Sequence, residues 1–127
     1  MSAPDKLLYE YAVIRCVPRV EREEFVNIGL IMMNKRQKWM KSLVILDEER
    51  LKALYPGLDI NCLRTQSKLF EMQDVPVGNL PVEEKYRWLT AVKSACLQVS
   101  PSHPGLLPRD NISLESEFDR LFSQLVL

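Results

Sequence analysis

The sequence predicts an α+β fold: an antiparallel sheet of about four strands, built from an N-terminal three-strand meander and one later strand, with helices on one face and an amphipathic C-terminal helix against the sheet. Three observations predict it. The first third of the chain holds three apolar, β-branched runs joined by short polar links, which favours neighbouring antiparallel strands. Past Asp47 the apolar spacing lengthens from two residues to three and four, the mark of a change from strand to helix. Near the C-terminus Leu114, Phe118, Leu121, Phe122 and Leu125 form one continuous helical stripe.

The elements follow in order. Leu7 to Val17 is apolar enough for a strand, and Pro18 is expected to end it by removing a backbone donor and fixing φ. Arg19 to Glu24 is a charged connection to a second strand, Phe25 to Asn34. The tetrapeptide Lys35 to Lys38 then turns the chain into a third, Trp39 to Leu46. Asp47 caps a helix with Glu48 and Glu49 in its first turn and Leu51 and Leu54 facing inward, and Pro56 with Gly57 stops it. Asp59 caps a second helix to about Met72, with Leu63, Leu69 and Phe70 as its stripe. Gln73 to Pro81, holding two prolines and a glycine, reads as a loop. Pro81 suits the first turn of a third helix bearing Val82, Tyr86 and Leu89. Ala95 to Ser100 reads as the fourth strand, and Ser100 to Gly105 excludes a helix. Ser113 caps the last one. Trp39 and Trp88 read as core or core-edge aromatics.

At 127 residues the chain builds one sizeable core, so residues 1–127 form a single domain. Apolar residues at 46% and charged residues at 27% are those of a globular domain and argue against disorder. The 17 basic and 17 acidic side chains cancel, which leaves no overall field to attract nucleic acid or an anionic membrane. No apolar run approaches the roughly 20 residues of a membrane span, and the N-terminus is short and polar. Cys16, Cys62 and Cys96, odd in number and widely spaced, read as buried thiols of a reducing compartment. A cytoplasmic location follows. One histidine and no CxxC pair disfavour a zinc site, and Glu21 to Glu24 reads as a solvated turn, so neither metal nor cofactor is expected.

Strand alternation gives the polar interruptions a geometry. Tyr11, Val13, Arg15 and Val17 share one face of the first strand, and Phe25, Asn27, Gly29 and Ile31 share one face of the second. Pairing Arg15 with Asn27 sets Val13 near Gly29, so a guanidinium, a carboxamide and uncovered backbone meet in a small polar pocket. Arg15 suits a carboxylate or phosphate, Asn27 offers donor and acceptor, and Gly29 admits a close approach. The plainer alternative pairs Arg15 with Glu23 or Glu24 as a brace for the turn, and base rates favour it. His103, held between Pro101 and Pro104, has the stiffness of a general base. It lacks a positioned nucleophile and an orienting acid; Ser100 and Ser102 beside it are ordinary turn residues. No catalytic residue is named, and the balance leans away from an enzyme.

Four blocks, Ala12 to Met32, Leu46 to Leu54, Tyr86 to Leu106 and Leu114 to Val126, make the chain resemble the bacterial domain of unknown function 3037 family over nearly its whole length. The family's recurrent polar positions resemble Arg15, Pro18, Glu24, Asn27 and Gly29, then Ser94, Gln98, Ser100, Pro101, His103 and Gly105. Ser102 departs from the small apolar residue expected there. The resemblance implies a partner, a HipA-like kinase encoded nearby, and no assigned activity. Two readings stand: a non-catalytic accessory protein acting with such a kinase, and a small ligand-binding domain or enzyme using Arg15, Glu24, Asn27, Gly29, Ser100 and His103 for an anionic or nucleotide-like ligand. An exposed apolar patch would favour the first, and a concave pocket with convergent polar groups the second. Oligomeric state is not legible at this level.

Overall fold

The structure, a computed structural model, describes residues 8–19, 24–71, 80–94, 96–107 and 112–126, the side chains of Arg19 and Glu24 excepted. Its elements run β1 Leu8–Arg19, β2 Glu24–Asn34, β3 Trp39–Val44, α1 Glu48–Leu54 and α2 Ile60–Ser67, which passes into a 3₁₀ turn, Lys68–Phe70. Then come α3 Val82–Thr90, β4 Leu97–Val99, β5 His103–Leu106 and α4 Leu114–Leu125. The fold is α+β with an antiparallel sheet of order β3-β2-β1-β4, and β5 pairs with β1 as well.

The meander β1-β2-β3 holds as expected. Its tight turn is organised by buried Asn34, whose carboxamide oxygen accepts from the Gln37 amide and whose Nδ2 donates to the Leu8 carbonyl, both at 2.8 Å. Lys38 closes that turn at φ 53°. Pro18 does not end β1: the strand continues to Arg19, with an irregularity in pairing between Cys16 and Arg19. A residue without an N–H fits there because a bulge leaves a ladder position unpaired.

The far edge of β1 is shared by two short strands. β4 covers Ile14 to Cys16 and β5 covers Leu8 to Tyr11. The proline-bounded segment from Ser100 is therefore a fifth strand in part, beyond the about four expected. Its extended backbone agrees with what prolines allow.

Two cores lie on opposite faces. Ala12, Ile14, Cys16, Ile28, Ile31 and Met33 meet Leu51 of α1, Ile60 and Leu63 of α2, and Tyr86 and Leu89 of α3. Tyr9, Leu30 and Met32 meet Leu114, Phe118, Leu121 and Phe122 of α4 on the other face. The first three helices thus form one layer and the C-terminal helix alone forms a second.

Asp47, Asp59 and Ser113 cap α1, α2 and α4 by accepting from the amides of Arg50, Cys62 and Ser116, as their positions predict. Pro81 stands at the cap of α3, one residue ahead of its first turn. Leu54 and Trp88 correct the sequence reading: they are 55% and 42% exposed, whereas Trp39 is half-buried against the α4 core. Leu51 is the buried residue of α1, and Leu54 is the last residue of that helix.

The thiol reading is also corrected. Cys62 of α2 and Cys96, just ahead of β4, form a disulfide with a Cα separation of 6.4 Å, and only Cys16 is a free thiol. Cys16 lies in the core, where burial pushes its pKa up to about 11. No helix among the described residues is long and apolar enough to cross a membrane. Leu7, Glu21 to Glu23, most of the Gln73 to Pro81 loop and Ala95 lie outside the described residues.

Candidate functional site

Arg15 and Asn27 stand opposite one another on β1 and β2, the pairing that alternation predicts. Both face the α4 side. Asn27 Nδ2 donates to the Leu125 carbonyl at 2.9 Å, tying the sheet to the last turn of α4 and satisfying one of the carbonyls a helix end leaves open. Its Oδ1 is buried without a hydrogen-bond partner, and so is Arg15 Nε. The Arg15 guanidinium carbon lies 4.1 Å from the centre of the Phe25 ring, and that ring is 49% exposed. Among the described residues no carboxylate pairs with Arg15. Glu24 opens β2 opposite Arg19, and its side chain falls outside the described residues.

Gly29 departs from the expected geometry. An extra residue at Ile28 shifts the pairing between Ile14 and Arg15, so Gly29 faces Ile14 instead of neighbouring Val13. A Cβ there would lie 2.6 Å from the Leu43 carbonyl oxygen and 2.9 Å from Val44 Cγ2. Gly29 thus serves close packing beneath the α1 to α3 layer, and the pocket built from alternation loses one wall.

Ser100 fills the gap where the chain passes from β4 to β5. Its hydroxyl accepts from the Val13 amide at 2.9 Å and donates to the Pro101 carbonyl at 3.0 Å, while its own amide donates to the Val13 carbonyl. That hydroxyl replaces a missing ladder bond. His103 pairs with Tyr11 on β1, their rings 5.4 Å apart, and stays exposed. Tyr11 and Arg15 share a face but stand four residues apart, roughly 13 Å along the strand. The structure therefore brings together Arg15 and Asn27, adds Phe25, and leaves Gly29, Ser100 and His103 elsewhere.

Two polar braces, one buried and one at the surface, escaped the sequence reading. On the α4 side the Tyr9 hydroxyl donates to Glu117 at 2.5 Å, and Arg120 grips the same carboxylate through Nε and Nη2 at 2.9 and 2.8 Å. Glu117 is 1% exposed. The Arg120 hydrogen bonds hold its carboxyl below the usual range despite burial, and burial with the Glu117 contact raises the Tyr9 phenol. Gly105 makes this possible, since any Cβ there would strike the Tyr9 ring at 2.3 Å. On the α3 side Arg87 holds Glu10 by two bonds of 2.8 and 2.7 Å, Ser102 donates to Glu10 at 3.1 Å, and Ser102 lies 2.7 Å from the Tyr86 hydroxyl. Ser102, unexpected from the family resemblance, has a definite role here. Both braces are internally satisfied.

A cleft of about 600 Å3 opens at the start of β1, lined by Leu8, Tyr9, Glu10, Met33, Lys35, Arg36 and Pro104. Its carboxylate is taken by Arg87, and Lys35 pairs with Glu83 at 3.0 Å. Neither Arg15 nor His103 lines it.

Comparison with curated proteins and with solved structures gives no match. The family described as protein of unknown function, DUF3037, matches residues 11–126, nearly the whole chain and both halves of the sheet, and the chain belongs to that family.

Proposed function

We propose that this chain is a non-catalytic interaction protein that engages its partner through Arg15 and Phe25, and that the partner is a HipA-like kinase acting with it in the cytoplasm. The observation that carries the reading is a half-buried guanidinium with an unpartnered Nε, stacked on an exposed phenylalanine. Arginine and aromatic side chains dominate the binding energy of protein interfaces. A guanidinium lying on an aromatic face keeps its remaining donors directed for a carboxylate of the partner. Asn27, anchored to α4 by its nitrogen, fixes the strand opposite Arg15 against that helix.

The dispersal of Ser100 and His103 supports the non-catalytic side, because general base chemistry needs the groups within hydrogen-bond reach of one reacting atom. A cytoplasmic setting requires a fold that tolerates reduction of Cys62–Cys96. The two cores and the two carboxylate braces are the contacts that would hold the sheet and its layers once that link is open. The test is co-expression with a HipA-like kinase. Near-stoichiometric co-purification that resists moderate salt is expected; no recovery of the kinase counts against the reading.

A second reading keeps Arg15 and Asn27 as a small site for an anionic ligand, favoured by the unpartnered donor of Arg15. A thermal-shift screen with nucleotides and small carboxylates, on the native chain and on Arg15→Met, separates the two. A ligand shift abolished by Arg15→Met would favour this reading over the first.

A further inference from the structure

β3 is the outer strand of the sheet, with β2 on one side and no strand among the described residues on the other. Its pairing with β2 fixes which main-chain groups point away. The Ile45 amide donates to the Ile28 carbonyl at 2.8 Å, and Leu43 and Lys41 stand opposite Leu30 and Met32 in the same phase. Odd-numbered residues of β3 therefore turn their N–H and C=O toward β2. Met40, Ser42 and Val44 turn theirs outward, and among the described residues no main-chain hydrogen bond engages them on that side, while the Ser42 hydroxyl donates to the Phe70 carbonyl of the 3₁₀ turn.

Sheet edges are ordinarily guarded by a free lysine or a proline. Here Lys41 is the single charge in the strand, and it is drawn onto α4 by Glu115 at 2.7 Å and by the Phe118 ring. Leu43 and Ile45 stay 41% and 45% exposed on that face. Charge also changes sign along the strand: Lys38 precedes it and Glu49 follows it, whereas Lys35 and Glu48 are held by Glu83 and Arg64 and Asp47 caps α1.

We propose that this edge is the interface of a two-fold homodimer, in which β3 of one copy pairs antiparallel with β3 of a second copy about Ser42. That register follows from the geometry. Centring on Ser42 makes it face its counterpart and sets Met40 opposite Val44 of the second copy, so every outward N–H and C=O of the strand finds a partner. Trp39 then lies beside Ile45 of the second copy, and the Lys41 stem beside its Leu43, covering both exposed side chains. The charges select this occupant. An antiparallel copy brings the basic end of each strand against the acidic end of the other, whereas a parallel copy sets like against like. The interface is separate from the Arg15 surface and does not depend on a kinase.

Sedimentation equilibrium of the full chain from about 1 to about 100 µM tests it. The mass should rise from the 14.8 kDa of one chain to twice that value. Amide exchange at Ser42 and Val44 should slow as concentration rises, which no dimer through another surface would produce. Leu43→Lys sets a second lysine against Lys41 of the other copy and should weaken the dimer about tenfold or more. Ile45→Lys, on the same exposed face, serves if that variant fails to melt like the native chain. A chain that stays monomeric at the upper concentration overturns the proposal. So does a dimer unaffected by the substitutions, or Ser42 exchange independent of concentration.

Discussion

Arg15 keeps a donor buried with nothing to receive it, and Asn27 beside it keeps an acceptor in the same condition. An unsatisfied buried polar group costs on the order of 1–3 kcal/mol, so Arg15→Met, which retains an apolar stem, should leave the melting temperature unchanged or raise it. A brace would behave oppositely, and a fall of several degrees in a thermal melt would mark Arg15 as structural. Glu117 makes the contrasting case. Glu117→Gln should cost about 1.5–3 kcal/mol in denaturant unfolding, because the carboxylate is gripped by Arg120 and Tyr9 in a buried place. Its folded pKa lies below the unfolded value, so its contribution is present above the usual carboxylate range and is lost as pH falls through the lowered value. The variant should therefore lose less stability between neutral and acid pH than the native chain. Arg15 and Asn27 were legible because polar residues interrupted apolar runs. Glu117 was not, since a charged residue on an amphipathic helix looks solvated and its partner Tyr9 lies 108 positions away in sequence. Gly29 was legible as a constrained position but assigned to the wrong face, because alternation cannot see the extra residue at Ile28.

At the scale of elements, caps and periodicity carried the reading well: three aspartate or serine caps and the stripe of α4 stand where their spacing puts them. Phe118 lies at the centre of that stripe with no exposed surface, and Phe118→Ala should destabilise by about 3–5 kcal/mol in chemical denaturation. An unchanged midpoint would refute the packing of α4 on the sheet. The Cys62–Cys96 link joins α2 to the segment entering β4 across 34 residues, and nothing in the cysteine spacing announced that the two segments touch. Closing a loop of that length is worth about 3–4 kcal/mol through the unfolded chain. Reduction should lower the melting temperature while far-ultraviolet circular dichroism keeps the folded signal; complete loss of that signal would show that the two cores cannot hold the fold unaided. β5 escaped the sequence reading because a four-residue strand rich in proline and glycine has no alternation to detect.

For the whole molecule, local patterns determine the meander and the two helical layers, while long-range contacts decide which polar residues share a surface. The result separates the polar positions of the family resemblance into classes. Gly29, Ser100 and Gly105 shape the sheet, whereas among the described residues Arg15 is engaged only by the Phe25 ring. That difference is why the Arg15 and Phe25 surface, and not the His103 loop, carries the functional reading. Isothermal calorimetry of the purified chain with a HipA-like kinase, the partner proposed for it, on the native protein, Arg15→Met and Phe25→Ala, tests it most directly. The account predicts saturable binding by the native chain, and at least about tenfold weaker binding by each variant with folding intact. No heat of binding for the native chain, or equal affinity for all three proteins, would contradict it.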